Sequence, residues 1–521
     1  MNLDRVKGRW KTSECQYRMT NTTKNSYGHI LKSTTIVGGS QVINILLGII
    51  RTKFMAVLLG PTGIGLMGMY SAVTSTVGAM AGMGIRSSGV RQIAEAVGTG
   101  DELKIARTIV TLRRAALVLG LLGMLLTIIF CKPLSWITFG SAEYSWPIAL
   151  LSVTLFLAAV SGGQVALIQG MRRISDLATL SVLGGLLGTV ISIPMIFLWG
   201  KDGIVPYLVT VSAMIILTSW WYARKIPVVR IILGWMDTFR EAKALLSLGL
   251  VFMATGLMAT AVMYLIRVLV VRQLGMDSVG LYHAATILSS LYIGVILSAM
   301  GMDFYPRLTA VAEDNDACNK MVNEQTEVGL LIAAPGILAT LTFAPLIIQI
   351  FYSASFIPAY EVLRWQILGI FIRVVYWPMG FVILAKGKGK IYFCTEFMGN
   401  AVHVALVWVG ISYFGLEGTG MAFFGLYVIH TIIILAVVHH LSGFQWNATC
   451  LYLIGVTSAG VAVVFLLPRF TSQNIALVFG GLLTLISIIY TLLALYRLVG
   501  PEWINDFKAK LKSRLGWIKA G

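Results

Sequence analysis

Leu59-Gly60-Pro61-Thr62-Gly63-Ile64-Gly65-Leu66 closes one apolar stretch, and Leu274-Gly275-Met276-Asp277-Ser278-Val279-Gly280-Leu281 closes another, 215 residues further on. Both read Leu-Gly-x-x-x-(Ile/Val)-Gly-Leu. Each follows a stretch whose end carries cations, Arg51 and Lys53 in one case and Arg267 and Arg272 in the other, and each precedes a stretch ending in glycine, Gly84 and Gly301. A weaker echo follows, 84–94 against 301–311, with its register shifted by two. The spacing predicts a chain built from two related halves, and alternating-access transporters are commonly built that way.

Around this repeat lie about fourteen apolar stretches of roughly 20 residues, the length that crosses a hydrocarbon core of about 30 Å as a helix. We place them at 30–50, 65–85, 115–132, 146–169, 178–199, 204–222, 247–270, 280–300, 328–351, 362–385, 391–413, 420–438, 448–467 and 474–496. Hydrocarbon offers the backbone no hydrogen-bond partner, so a lone segment must satisfy itself as a helix. The chain is 57% hydrophobic and only 12% charged, and its mean hydropathy is +0.83. The expected fold class is therefore an all-α polytopic membrane protein, with two six-helix bundles and two extra C-terminal helices.

The net charge of +18 would suggest nucleic acid in a soluble protein, but its placement gives a better account. Of 40 Lys and Arg, 31 fall on segments sharing one side, leaving Arg51, Lys53, Lys132, Lys201, Arg267, Arg272, Arg364, Arg373 and Arg469. That asymmetry puts both termini in the cytoplasm. The expected organisation is a cytoplasmic tail over 1–29, a six-helix bundle over 30–222 and a cytoplasmic linker over 223–246. A second bundle covers 247–440, two additional spans 441–497, and a basic tail 498–521. In that tail Trp503, Ile504, Phe507, Leu511 and Leu515 recur at helical spacing opposite Lys508, Lys510, Lys512 and Arg514, as in a helix lying in the membrane interface. The first 29 residues hold no apolar core for a cleavable signal, and Met19 offers an alternative start. Of five cysteines only Cys131 falls near the outer face, so no structural disulfide is expected.

An ionised side chain at mid-membrane costs at least about 2.5–3.5 kcal/mol, so each one needs a reason. Arg373 lies near the middle of span 362–385, with Tyr376 and Trp377 three and four residues on and Pro378 five on. Two roles are open to it: a cation facing a ligand, or a structural pair with Glu396 or a carbonyl. Arg267 and Arg51 occupy related places in spans seven and one, where guanidinium forks would bind phosphate bidentately or would snorkel. Gln41 and Asn44 share a face of span one, suited either to sugar or to interhelical hydrogen bonds. Glu396, one to two turns from an inner helix end, is the candidate coupling group. Acids are otherwise scarce in the spans, which favours an anionic substrate over a cationic one. His283, His403 and His430 sit on separate helices without metal-ligand spacing. No phosphate-binding loop, zinc motif or nucleophile motif occurs, so no cofactor, metal or enzyme activity is expected.

The runs Lys32-Ser33-Thr34-Thr35, Arg51-Thr52-Lys53-Phe54, Leu59–Leu66 and Gly84-Ile85-Arg86-Ser87-Ser88-Gly89-Val90-Arg91-Gln92-Ile93-Ala94-Glu95-Ala96 resemble the O-antigen translocases. These are polysaccharide flippases of the multidrug/oligosaccharidyl-lipid/polysaccharide exporter superfamily. Leu274–Leu281, Tyr305-Pro306-Arg307-Leu308 and 385–390 also fit. The resemblance implies a V-shaped pair of six-helix bundles that moves an undecaprenyl-diphosphate-linked repeat unit across the bacterial inner membrane for O-antigen synthesis. It also implies neighbours such as a polysaccharide polymerase and a chain-length regulator, and no nucleic acid. In this reading Arg373, Arg267 and Arg51 hold the diphosphate; Gln41, Asn44, Tyr376 and Trp377 meet the sugar. The rivals are a cation-coupled drug exporter of the same fold, a peptidoglycan-precursor flippase, and a membrane polymerase or ligase. The last would need a large outer loop, and the longest here is under about ten residues by these span limits.

Overall fold

The structure, a computed structural model, describes the backbone of residues 4–229 and 231–499 and most side chains from Gly39 onward. Fifteen α-helices and two 3-10 turns make up the described chain, with no strand among those residues. In order they are α1 (Asp4–Ala81), α2 (Ile85–Thr99), α3 (Glu102–Ile129), α4 (Cys131–Phe139), α5 (Ser145–Gly170), α6 (Ile174–Trp199), α7 (Ile204–Arg224) and α8 (Trp235–Leu274). There follow α9 (Met276–Ala310), α10 (Asn315–Phe351), α11 (Ala359–Ala385), α12 (Gly389–Phe414), α13 (Glu417–Ser442), α14 (Ala448–Phe470) and α15 (Gln473–Val499). The basic tail from Gly500 onward lies outside the described residues.

Eleven of the described apolar stretches are long enough to cross a membrane, or twelve if the bent pair Met276–Leu291 and Ile296–Ala310 counts as one. That is fewer than the fourteen expected, and the reason is length. Gly39–Ala81 and Ile174–Arg224 run for 43 and 51 residues, each more than twice what one crossing needs. Each is interrupted, the first at Gly60, the second at the 3-10 turn Gly200–Gly203.

The chain divides into two compact units. The first holds residues 1–59 and 69–264, the second 60–68 and 265–521. In the first unit α3 and α5 approach through small residues, as helices in lipid do when no hydrophobic drive holds them together. A Cβ on Gly120 would sit 3.0 Å from Ala159, and one on Gly163 would sit 3.0 Å from Ala116. A buried cluster of Ile93, Ile109, Leu112, Ala166, Ile168 and Leu245 completes the packing. Asp101 caps α3, accepting from the Leu103 and Lys104 amides at 2.9 and 3.2 Å, and so satisfies two of the four free amides of the first turn.

In the second unit Phe304, Leu308, Val322, Met379, Val382 and Val438 form a dry core among α9, α10, α11 and α13. The last two helices dock on α10, where Thr491 donates to the Leu331 carbonyl at 2.8 Å and Gly480 lies tight against Thr342. Asn447 caps α14 through the Cys450 amide at 2.7 Å.

The sequence repeat has a structural counterpart within this unit. Gly60 (φ 64°, ψ −170°) and Gly275 (φ 85°, ψ 177°) adopt the same backbone conformation, one open to glycine alone. Each breaks an apolar run and starts a new helical segment. Those segments cross at Gly65 and Gly280: a Cβ on Gly65 would strike the Met276 carbonyl, and one on Gly280 the Pro61 carbonyl. Thr62 donates to Asp277 at the same crossing. Every pair swaps members when repeat positions are exchanged, so the contact is self-matching, as at a two-fold axis.

Gly280→Ala should therefore cost about 1–3 kcal/mol through overpacking, and Gly275→Ala a similar amount through backbone strain. Gly455→Ala, where a Cβ meets nothing within 4 Å, should leave stability unchanged. Thermal unfolding of the detergent-solubilised protein would check the three.

Candidate functional site

The second unit gathers polar groups from three helices around Arg373. Helix α11 continues through Pro378 and carries Arg373 near its midpoint. The guanidinium carbon lies 5.8 Å from the centre of the Tyr427 ring on α13. Tyr427 in turn contacts Tyr376 at 5.8 Å and Phe423 at 4.8 Å between ring centres. Tyr376 meets His430 edge-on at 5.1 Å, and His430 Nε2 stands 3.9 Å from a Glu396 carboxylate oxygen on α12. Gly399 makes the room for that imidazole: a Cβ there would lie 3.3 Å from the ring.

Arg373 is close enough to Glu396 to interact with its charge, yet no carboxylate comes within ion-pair distance of it among the described residues. An aromatic face attracts a guanidinium without consuming its N–H donors. The Tyr427 hydroxyl also accepts a hydrogen bond from the guanidinium, but among the described residues no carboxylate fills its remaining donors, and bidentate binding of phosphate is what their fork geometry suits. His430 Nε2 is likewise buried without a hydrogen-bond partner.

The other expected site residues are placed as follows. Tyr376 joins the cluster. Trp377 does not: it packs 4.8 Å from Phe381 and 6.2 Å from Phe304, against Gly301. Neighbouring residues on a helix point about 100° apart, so only one of the two rings can face Arg373. Arg267 Nη1 donates to the Gly68 carbonyl at 3.0 Å and Nη2 lies 3.2 Å from His283 Nδ1, which leaves Nε buried without a partner. Its fork is largely engaged in holding α8 to two neighbours. Asn44 donates to Ser181 at 2.7 Å, with Gly185 beside its other amide atom. Of the two roles open to Asn44, the interhelical bond is the one it occupies here. Gln41 is exposed, and Arg51 is half-buried with Nη1 beside Gly188 on α6.

Tyr427 escaped the sequence reading, and His430 and Arg364 were given no site role by it. Tyr427 and His430 are three apart in an apolar run, so they share a helix face; that spacing was the available signal. Arg364, one of the nine cations off the inside segments, is 2% exposed. It pairs with Glu361 at 3.1 Å, donates to the Phe465 carbonyl and lies 4.4 Å over the Phe465 ring. Nothing local in the sequence marks a partner 101 residues away.

The first unit contains a separate cavity of about 550 Å³, lined by glycines and alanines, by the hydroxyls of Thr74, Ser75, Thr154, Ser161 and Ser212, and by one cation, Arg86. Its surface is uncharged apart from that guanidinium.

This helical architecture is similar to that of two solved membrane transporters. The solved structure of the lipid II flippase MurJ in an inward closed conformation superposes with a TM-score of 0.67 at 13% identity, covering 90% of this chain and 99% of that one. An inward-facing multidrug resistance MATE family transporter of the multidrug/oligosaccharidyl-lipid/polysaccharide exporter superfamily gives 0.64 at 16% identity, covering 76% and 95%. The chain belongs to the polysaccharide biosynthesis protein family, which it matches over residues 54–361. Among curated relatives, the lipid III flippases of Escherichia coli (strain K12) and Shigella flexneri are each 23% identical over 409 residues, 77% of this chain and 96% of theirs.

Two intramembrane arginines should respond differently to removal. Arg364→Ala should lower the unfolding midpoint by the equivalent of about 2–3 kcal/mol, since a charged hydrogen bond and its packing are lost together. Arg373→Ala should leave the midpoint nearly unchanged. Thermal scans of the two variants side by side would check the contrast.

Proposed function

We propose that this protein is a flippase for a lipid-linked oligosaccharide, carrying an undecaprenyl-diphosphate-linked O-antigen repeat unit across the bacterial inner membrane by alternating access. The observation that carries the reading is Arg373, an intramembrane guanidinium stacked near Tyr427 with no carboxylate in ion-pair reach. A permanent cation held in that way suits a doubly charged phosphate group, and not a cationic drug. Family membership and the lipid III flippase relatives support the same substrate class.

In this mechanism the diphosphate rests on Arg373, with Arg267 contributing its unpartnered Nε. Arg51, in the first unit, is a second and separate contact. Tyr376 meets the sugar while Tyr427 steadies the guanidinium, and the polyprenyl tail remains in lipid. The Glu396–His430 pair is the proposed coupling element, since one proton gained or lost there changes the charge beside Arg373. Both termini are cytoplasmic, and a polymerase and a chain-length regulator act on the delivered unit.

The test uses cells lacking this gene but retaining glycan synthesis, with surface polysaccharide and leaflet-resolved lipid-linked units as readouts. Restoring the gene should release units trapped on the inner leaflet. Arg373→Ala should lower transport by about one to two orders of magnitude while reaching the membrane normally, because the lost charge-assisted fork is worth roughly 1.5–3 kcal/mol. Normal transport by that variant would remove Arg373 from the site. Unchanged surface glycan and leaflet distribution on deletion would discard the flippase reading for that glycan.

A further inference from the structure

The first unit has a second cavity with different chemistry. The first half of α3, the middle of α5, the last turn of α7 and the chain beyond it enclose about 760 Å³. The wall is mostly aliphatic, including Leu117 and Ile232, and two guanidiniums line it, Arg113 and Arg224. Among the described residues no acidic one does. Arg113 has neither a hydrogen bond nor an ion pair among the described residues. Arg224 lies 5.4 Å from the Trp220 ring centre, which again leaves its N–H donors free.

Two further observations say what covers this cavity. Trp220 and Trp221 are 49% and 58% exposed and Ile232 wholly so, although aromatic and apolar side chains of this kind belong at the boundary of a bilayer. Among the described residues the only amide or hydroxyl side chain in the wall is Gln164, and Ser219 already donates to it. The cavity therefore offers an anion two cations and a tail an apolar wall, with no free hydroxyl or amide for a sugar.

We propose that this cavity is a binding site for an anionic phospholipid. The headgroup phosphate sits on Arg113 and Arg224, and an acyl chain lies along Leu117 and Ile232. Basic pockets between membrane helices bind anionic headgroups in this way. A lipid so held would fasten the end of α7 to α3, where the chain leaves the bundle.

The test is lipid retention by the full-length protein. Phosphatidylglycerol carried through detergent purification is quantified by mass spectrometry, and exchange is repeated in nanodiscs of phosphatidylcholine with or without phosphatidylglycerol or polyprenyl diphosphate. The Arg113→Gln/Arg224→Gln variant should retain about tenfold less phosphatidylglycerol. Added phosphatidylglycerol should raise the melting temperature of the native protein and not that of the variant. Lys243→Gln, an exposed cation elsewhere on this unit, should behave as native, and Arg113→Lys should recover most retention if the double variant is too unstable to purify. Equal retention by the double variant overturns the proposal. So does an equal loss in Lys243→Gln, which would mean diffuse attraction, or a preference of the Arg113–Arg224 cavity for polyprenyl diphosphate over phosphatidylglycerol.

Discussion

Hydrocarbon supplies neither hydrogen bonds nor a hydrophobic drive, and this one constraint accounts for most of what the chain does. It forces the backbone into helices, and it leaves close packing as the main glue between them. The glycines fall where that glue is needed. Gly65 and Gly280 bring two backbones to within a carbonyl of each other, Gly120 and Gly163 seat α3 on α5, and Gly480 seats α15 on α10. A methyl group at any of these places would hold the helices apart.

The same medium sorts the charges by how they are compensated. Arg364 is tied down by a carbonyl, a carboxylate and an aromatic ring. Arg267 is held by a carbonyl and an imidazole, and in both arginines Nε is left without a partner. Arg373 has the ring and hydroxyl of Tyr427 and a distant carboxylate. The series runs from structural tie to open site, and it is set by the partners on neighbouring helices rather than by depth in the span. The two units also differ. The second holds the intramembrane cluster of opposite charges, whereas the cavity lined by Thr74, Ser75 and Thr154 in the first has a single cation.

Much of the fold was legible because its signals are local. Twenty apolar residues identify a span, and Leu-Gly-x-x-x-(Ile/Val)-Gly-Leu identified a repeat whose glycines turned out to share one backbone conformation. The span count was less legible, because Gly39–Ala81 and Ile174–Arg224 join what the hydropathy pattern had separated. The site was half legible. Arg373, Tyr376 and Glu396 stood out as polar groups in apolar runs, and they do lie in one cluster. Their neighbours Tyr427 and His430 come from another helix, and sequence spacing carries no information about which faces of two helices meet. Trp377 shows the same limit in reverse: adjacent to Tyr376 in sequence, it faces an aromatic core with Phe304 and Phe381.

An uncompensated arginine in a membrane protein is a statement about what surrounds it. Its desolvation cost is offset only by water, by a ligand, or by π faces that recover part of the interaction. Near Arg373 the ring and hydroxyl of Tyr427 supply that partial offset, which holds the cation in place without a carboxylate at ion-pair distance. A carboxylate at ion-pair distance would stabilise the resting protein more, but an arriving anion would then have to displace it. Glu396 instead stands beside His430, near enough to be felt by Arg373 and too far to bind it. This is the arrangement expected of a site that must accept an anion and also release it.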